Sequence, residues 1–241
     1  MRLIPLLATL TLLILHLSPH ENPFIGVADD VRRATVGIGG QSIPLDPFSS
    51  EEPGTVAFRS FGSGAIISPD GYILTNAHVL RGMADYVDVV EVVLLDGTLH
   101  RAQILIYAPT VDAALLKINT GYKLPYLPMG DSDSMRVAQE ILLSGHPGDE
   151  KDTTVTGIIS RPEGTLLFED GHRPAIQVTA QINPGQSGGP VVNASGALVG
   201  LCMAFKPRMR PLSYLTPINR IRERFEAIQR LSGLNPLGLA E

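Results

Sequence analysis

Cysteine is nearly missing from this sequence: Cys202 stands alone among 241 residues. One thiol makes no intramolecular disulfide, and the chain's own thiolates supply neither a Cys-rich zinc site nor an iron–sulfur cluster. Core packing must therefore hold the fold. Tryptophan is absent and aromatics make up 5% of the residues, while Gly 24 and Pro 19 point to many tight turns. Basic clusters are also lacking. Lys and Arg total 19 against 24 Asp and Glu, a formal net charge of −5, which argues against nucleic acid as a partner. Hydrophobic residues reach 44% and charged ones 18%, enough for a substantial core and against disorder.

No apolar run is long enough to span a bilayer comfortably. Leu3 to Leu17 is interrupted only by Pro5, Thr9, Thr11 and His16, and as a helix it would measure about 22 Å against ~30 Å of hydrocarbon. With Arg2 before it, residues 1–28 read as an export signal or an N-terminal membrane anchor. Pro19 suits a processing site badly, whereas Gly26-Val27-Ala28 carries the small residues of one. The remainder is expected to face the outside of a membrane, in an extracytoplasmic compartment.

Beyond Ala28 the apolar residues come in short runs bounded by turn dipeptides such as Asp70-Gly71, Asp96-Gly97, Asp170-Gly171 and Ser195-Gly196. Runs at Thr35–Ile38, Gly64–Ser68, Tyr72–Asn76, Ala113–Ile118, Thr165–Phe168 and Leu198–Ala204 are typical. About a dozen such strands would curl into barrels or a sandwich, so the chain reads as all-β and mostly antiparallel. Residues 39–61 read as a long surface loop. Only the C-terminus carries a helical period: Ile218, Ile221, Phe225, Ile228 and Leu231 recur over 217–231, with Thr216 as cap and Pro217 in the first turn.

The sharpest local feature is Asn183-Pro184-Gly185-Gln186-Ser187-Gly188-Gly189-Pro190. A serine between glycines suits a tight turn that exposes its hydroxyl and points the N–H groups of Gly185 and Ser187 at one spot, an oxyanion hole. A plain glycine-rich turn fits the same residues. The segment also matches the G-x-S-x-G elbow of α/β-hydrolases, but that fold needs a histidine after the serine. The last of the six histidines is His172. An acid, histidine, serine order using Asp70 belongs to an α/β architecture that the strand pattern contradicts. The order histidine, aspartate, serine remains. His16 and His20 sit in or beside the export segment, and His100, His146 and His172 read as solvated loop residues. His78 follows a strand and has small neighbours in Asn76-Ala77-His78-Val79. Asp112 opens the apolar run Ala113-Ala114-Leu115-Leu116, where its carboxylate needs a partner such as an imidazole N–H. A strand-start cap is the simpler reading of Asp112, and Asp88 competes with it.

Gly62-Ser63-Gly64-Ala65-Ile66-Ile67-Ser68 followed by Asp70-Gly71-Tyr72-Ile73-Leu74-Thr75-Asn76-Ala77-His78-Val79 resembles the catalytic-histidine region of HtrA/DegP-type serine proteases. Asp112–Ile118 is similar to their catalytic-aspartate strand. Met129–Ser132, Val155–Ser160, Asn183–Pro190 and Pro217–Asn219 are similar to further family motifs in the family's order. The likeness runs from about Val31 to Ile228. It implies a trypsin-like domain at 29–232, a chymotrypsin-like pair of six-stranded antiparallel β-barrels at about 31–122 and 135–216, the helix 217–231, and a tail at 233–241.

The resemblance also implies roles: Ser187 as nucleophile, His78 as base then acid, Asp112 as the group that orients the imidazole, and Gly185 and Ser187 N–H as the oxyanion hole. No metal or organic cofactor is needed. Unfolded or extended polypeptides are the implied substrates, with a homo-trimer and an N-terminal membrane tether both within the family's habits. Gln186 stands where the family usually has Asn, and Gln181 where Ala is common. Gln181, Leu201, Cys202 and Met203 are the candidate lining of the substrate pocket, Cys202 being otherwise an inert strand residue. The short stretch after Ile228 leaves no room within it for the PDZ domain common in the family. Two rival readings are a catalytically silent peptide-binding or chaperone-like protein and an esterase on the same fold.

Overall fold

The computed structural model describes residues 22–42, 57–81, 89–146, 152–168, 171–205 and 212–232. The expected export or anchor segment up to residue 21, the tail 233–241 and Asp88 lie outside them. Among the described residues, no helix is long and apolar enough to cross a membrane.

Six strands, β1 (Thr35–Ser42), β2 (Ala57–Ile66), β3 (Tyr72–Thr75), β4 (Val89–Val93), β5 (Leu99–Ala108) and β6 (Ala113–Lys117), close into an antiparallel barrel in the order β1-β2-β3-β6-β5-β4. A second barrel is built from β7 (Glu140–Gly145), β8 (Thr153–Arg161), β11 (Ile176–Val178), β12 (Pro190–Val192), β13 (Leu198–Phe205) and β14 (Ser213–Pro217). Its order is β11-β14-β13-β12-β7-β8. Closure removes the free edges that a dozen short strands would otherwise expose. A separate hairpin, β9 (Thr165–Phe168) and β10 (Gly171–Pro174), stands off the second barrel. The expected double barrel is therefore present.

Each barrel has its own core. Val36, Ile38, Ile66, Ile73, Leu74, Leu115 and Leu116 fill the first. Ile141, Leu143, Ile159, Val178, Val191 and Leu215 fill the second. The helix α2 (Ile218–Ser232) leaves the second barrel but buries Ile218, Ile221 and Phe225 in the core of the first, binding the two units together. The segment between the barrels is fixed to both: Leu127 N donates to the Ile66 carbonyl and Leu198 N to the Pro128 carbonyl.

Four local expectations are corrected. The loop read at 39–61 is partly strand, because β1 and β2 stay paired from Gly39↔Ser60 to Ser42↔Ala57. Gly39-Gly40-Gln41-Ser42 has no apolar alternation to signal this. The run Gly171–Pro174, read as a turn and loop, is β10. The folded unit takes in residues before 29: Phe24 is buried in the first core ahead of a short helix, α1 (Ala28–Arg33). Finally, Thr216 does not cap the C-terminal helix. It lies within β14, and its hydroxyl accepts from Asn76 Nδ2, while Ser132 Oγ accepts from the first-turn Asn219 N–H.

Candidate active site between the barrels

Strand β3 pairs with β6 through Thr75↔Ala114, so residues just past Thr75 and just before Ala114 meet at one end of the sheet. Asn76 stays extended, and a 3₁₀ turn at Ala77–Leu80 then buries Ala77, Val79 and Leu80 and leaves His78 facing out. Opposite it, a 3₁₀ turn at Pro109–Val111 ends on Asp112 in the left-handed region, φ 51° and ψ 52°. This conformation is uncommon for a non-glycine residue and costs on the order of 1 kcal/mol. It turns the buried carboxylate back toward His78.

Asp112 Oδ2 lies 2.8 Å from His78 Nδ1, and Asp112 Oδ1 accepts the His78 backbone N–H at 3.0 Å. The carboxylate side chain is 1% exposed and the imidazole 27%. A buried carboxylate is thus satisfied at both oxygens, while the far edge of the ring remains accessible. Asn76 Nδ2 donates to the Asp112 carbonyl at 2.7 Å and to Thr216 Oγ1 at 3.0 Å, tying the turn to the second barrel.

Ser187 arrives from the second barrel. Its turn is zipped to β13 by Gly188 N to Cys202 O at 2.7 Å and Cys202 N to Gly189 O at 2.9 Å. It is joined to the first barrel by Ser63 N to Ser187 O at 2.7 Å. Gly188 requires its lack of a side chain: φ is +84°, and a Cβ would fall inside van der Waals contact of the Ser63 carbonyl oxygen and Thr75 Oγ1. That approach brings Ser187 beside the Thr75-Asn76-Ala77-His78 segment. Gly185 is also left-handed at φ 93°. Its carbonyl accepts from Ser63 Oγ at 2.6 Å. Among the described residues, no hydrogen bond uses the N–H of Gly185 or of Ser187. The Ser187 hydroxyl donates to the Met203 carbonyl at 3.0 Å rather than to His78.

Residues 62–201 match the trypsin-like peptidase domain family. The chain belongs to the trypsin-like peptidases of HtrA/DegP type. It is similar to a probable periplasmic serine endoprotease DegP-like from Marinomonas, 42% identical over 156 residues that make up 64% of this chain and 32% of the relative. The magnetosome formation protease MamE of Magnetospirillum gryphiswaldense is 34% identical over 220 residues, 83% of this chain and 28% of that one. Among solved structures, the HtrA-type protease AlgW with a decapeptide superposes with a TM-score of 0.67 at 30% identity. That match covers 84% of this chain and 67% of the AlgW chain. The chain spans about a third of the length of the curated relatives it matches.

In this HtrA-type domain the residues expected at the site divide into two groups. His78 and Asp112 are bonded to each other, and the turn carrying Gly185 and Ser187 packs against Ser63, Thr75 and Asn76 of the first barrel. The expected pocket lining does not form a common wall. Leu201 is fully buried in the first core and Cys202 in the second, because β13 is covered on both faces. Gln181 is exposed, and Met203 is buried with Leu166, Ala175 and Tyr214, contributing its carbonyl instead. Burial pushes the Cys202 thiol well above its ordinary range.

His146 is corrected too. It is 3% exposed rather than solvated, and its backbone N–H donates to Ser63 Oγ at 2.9 Å. Gln186 is fully buried, and its Oε1 accepts the Asn183 N–H at 2.7 Å, closing the Asn183–Gln186 turn ahead of the serine. Sequence reasoning assigned no role to Ser63 or Asn76, and read Thr216 only as a helix cap. Asn76 had a signal, a polar residue ending an apolar strand just before His78. Ser63 had none.

Proposed function

We propose that the chain is an exported serine endopeptidase that hydrolyses unfolded or extended polypeptides through His78, Asp112 and Ser187. The observation that carries this reading is the doubly bonded Asp112–His78 pair, with the Ser187 turn packed on the same segment. Asp112 holds the proton on Nδ1, which leaves Nε2 as the base. Rotation of the Ser187 side chain away from the Met203 carbonyl brings Oγ to that base. Oγ then attacks the scissile carbonyl while Nε2 takes its proton. The tetrahedral oxyanion is met by the N–H groups of Gly185 and Ser187, each worth roughly 3 kcal/mol in the transition state. The imidazolium returns the proton to the leaving amine, and water repeats the sequence on the acyl-enzyme. Relatives named periplasmic support an extracytoplasmic location. Trimer assembly and an N-terminal tether belong to the same proposal by family likeness.

A catalytically silent peptide-binding protein is the second reading, favoured by the Ser187 hydroxyl being engaged with Met203. One experiment separates the two. Wild type and Ser187→Ala are incubated with unfolded casein and with a fluorophosphonate probe. The expected result is labelling and cleavage by the wild type only, with turnover lowered by about six orders of magnitude in the variant. Absence of both in the wild type refutes the protease reading.

A further inference from the structure

The β9–β10 hairpin lies between β8 and β11 of the second barrel along the chain, yet it reaches the turn in the first barrel that presents Asp112. Arg173 on β10 is 4% exposed, and its Nε donates to the Pro109 carbonyl at 2.8 Å. The same carbonyl accepts the Asp112 N–H at 3.1 Å, the bond that closes the 3₁₀ turn and sets Asp112 in its left-handed conformation. One oxygen therefore takes two donors, one local and one from 64 residues away. The hairpin is a firm base for this contact. Leu166, paired with Arg173 across the hairpin, is buried with Ala175, Met203 and Tyr214 of the second barrel.

We infer that Arg173 is a positioning residue for the catalytic pair: by holding the Pro109 carbonyl it fixes the Asp112 turn, and through it the orientation of His78. This rests on the triad reading above. The strained φ of Asp112 gives the contact its importance, because a left-handed aspartate relaxes when the turn that imposes it loosens. The two carboxylate bonds to His78 depend on that backbone angle. A misplacement of even ~1 Å in such a pair slows reaction by up to about a hundredfold.

The side chains of Gln and Met permit a matched test. Gln Nε2 and Met Cε occupy the same chain position as Arg Nε, so Arg173→Gln keeps a donor there and Arg173→Met does not. Arg173→Lys retains the charge but has a methylene at that position. In the full chain, Arg173→Met and Arg173→Lys are expected to lower the rate of fluorophosphonate labelling and kcat for an unfolded substrate by about tenfold or more, with KM within twofold of wild type. Arg173→Gln is expected to stay within about threefold. The low-field Nδ1–H resonance of His78 in protein carrying ¹⁵N-histidine should broaden or shift in the Met and Lys variants and stay in place in the Gln variant. Leu167→Ala, at an exposed position on β9, controls for general loosening of the hairpin and should change neither readout.

Equal rates and an unmoved resonance in the donor-less variants overturn the proposal, as does a Gln variant no better than Met. If Arg173→Met fails to fold, the Lys and Gln pair decides on the same criteria. A wild type that does not label refutes the protease reading instead, and the resonance still decides the role of Arg173.

Discussion

Replacing Asp112 by Asn changes one atom, and the structure dictates which way the new amide must face. The His78 backbone N–H donates to Oδ1 at 3.0 Å, so an oxygen must stay there. The amide nitrogen is left only the Oδ2 position, 2.8 Å from His78 Nδ1. Two N–H groups cannot point at each other, so Nδ1 becomes the acceptor and the ring proton moves to Nε2. That is the atom required to accept the Ser187 proton, and in this tautomer it has no free lone pair. A base held in the wrong tautomer costs about 10⁴ in kcat, equivalent to about 5.4 kcal/mol of barrier at 1.36 kcal/mol per decade. The fold should change far less, because both hydrogen bonds survive, only the one to Nδ1 with its polarity reversed. Kinetics on an unfolded substrate, paired with thermal unfolding of wild type and Asp112→Asn, checks both halves. A loss in kcat below about tenfold with an unchanged melting temperature would refute the orientation of His78 by Asp112.

Gly188→Ala should destabilise the protein by about 3 kcal/mol or more, roughly 10 °C in Tm, and abolish Ser187 labelling, because the methyl meets the Ser63 carbonyl at a φ of +84°. A variant with wild-type Tm and labelling would contradict the close approach of the two barrels. Asp131 is held below the ordinary carboxylate range by hydrogen bonds from the Asn219 side chain and the Asp133 backbone N–H. A lowered folded pKa adds stability above the unfolded pKa and loses it as pH falls through the folded value. The stability gap between wild type and Asp131→Asn should therefore narrow from pH 6 to pH 3 in denaturant titrations, and a gap that stays constant would count against it. Cys202 is fully buried with its thiol pKa pushed up by desolvation. It should resist a disulfide reagent at pH 8 in the native protein and react at once when unfolded; equal rates in the two states would place it at the surface.

The sequence was most informative where local chemistry and a local turn coincide. Asp112 before an apolar run, His78 after a strand and Ser187 among glycines are local features that became candidates through their order and the family-like motifs around them. Their order along the chain excluded the α/β-hydrolase elbow, and the strand pattern excluded the acid, histidine, serine order. Short apolar runs between turn dipeptides likewise disclosed most of the elements, several of them, such as β12 and β14, buried along their whole length. That signal failed at Gly39–Ser42 and Gly171–Pro174, where glycine, proline and polar residues pair through their backbones without an apolar run to mark the strand. It failed again at Leu201 and Cys202, where a strand covered on both faces gives its side chains to two cores instead of an open pocket.

What the sequence by itself determined is the class of fold and the candidates for the reacting groups, because apolar runs, turn dipeptides and ordered motifs are short-range patterns. What only the tertiary structure decided is how those groups are held. Ser63 joins Gly185 from 122 residues away, Asn76 joins Thr216 from 140, and Arg173 joins Pro109 from 64. Such bonds run from side chains of ordinary type to backbone carbonyls or to one another, so nothing in their local sequence marks them. They exist because two barrels, each closed on its own core, meet along one seam where buried polar groups are costly to leave unpaired.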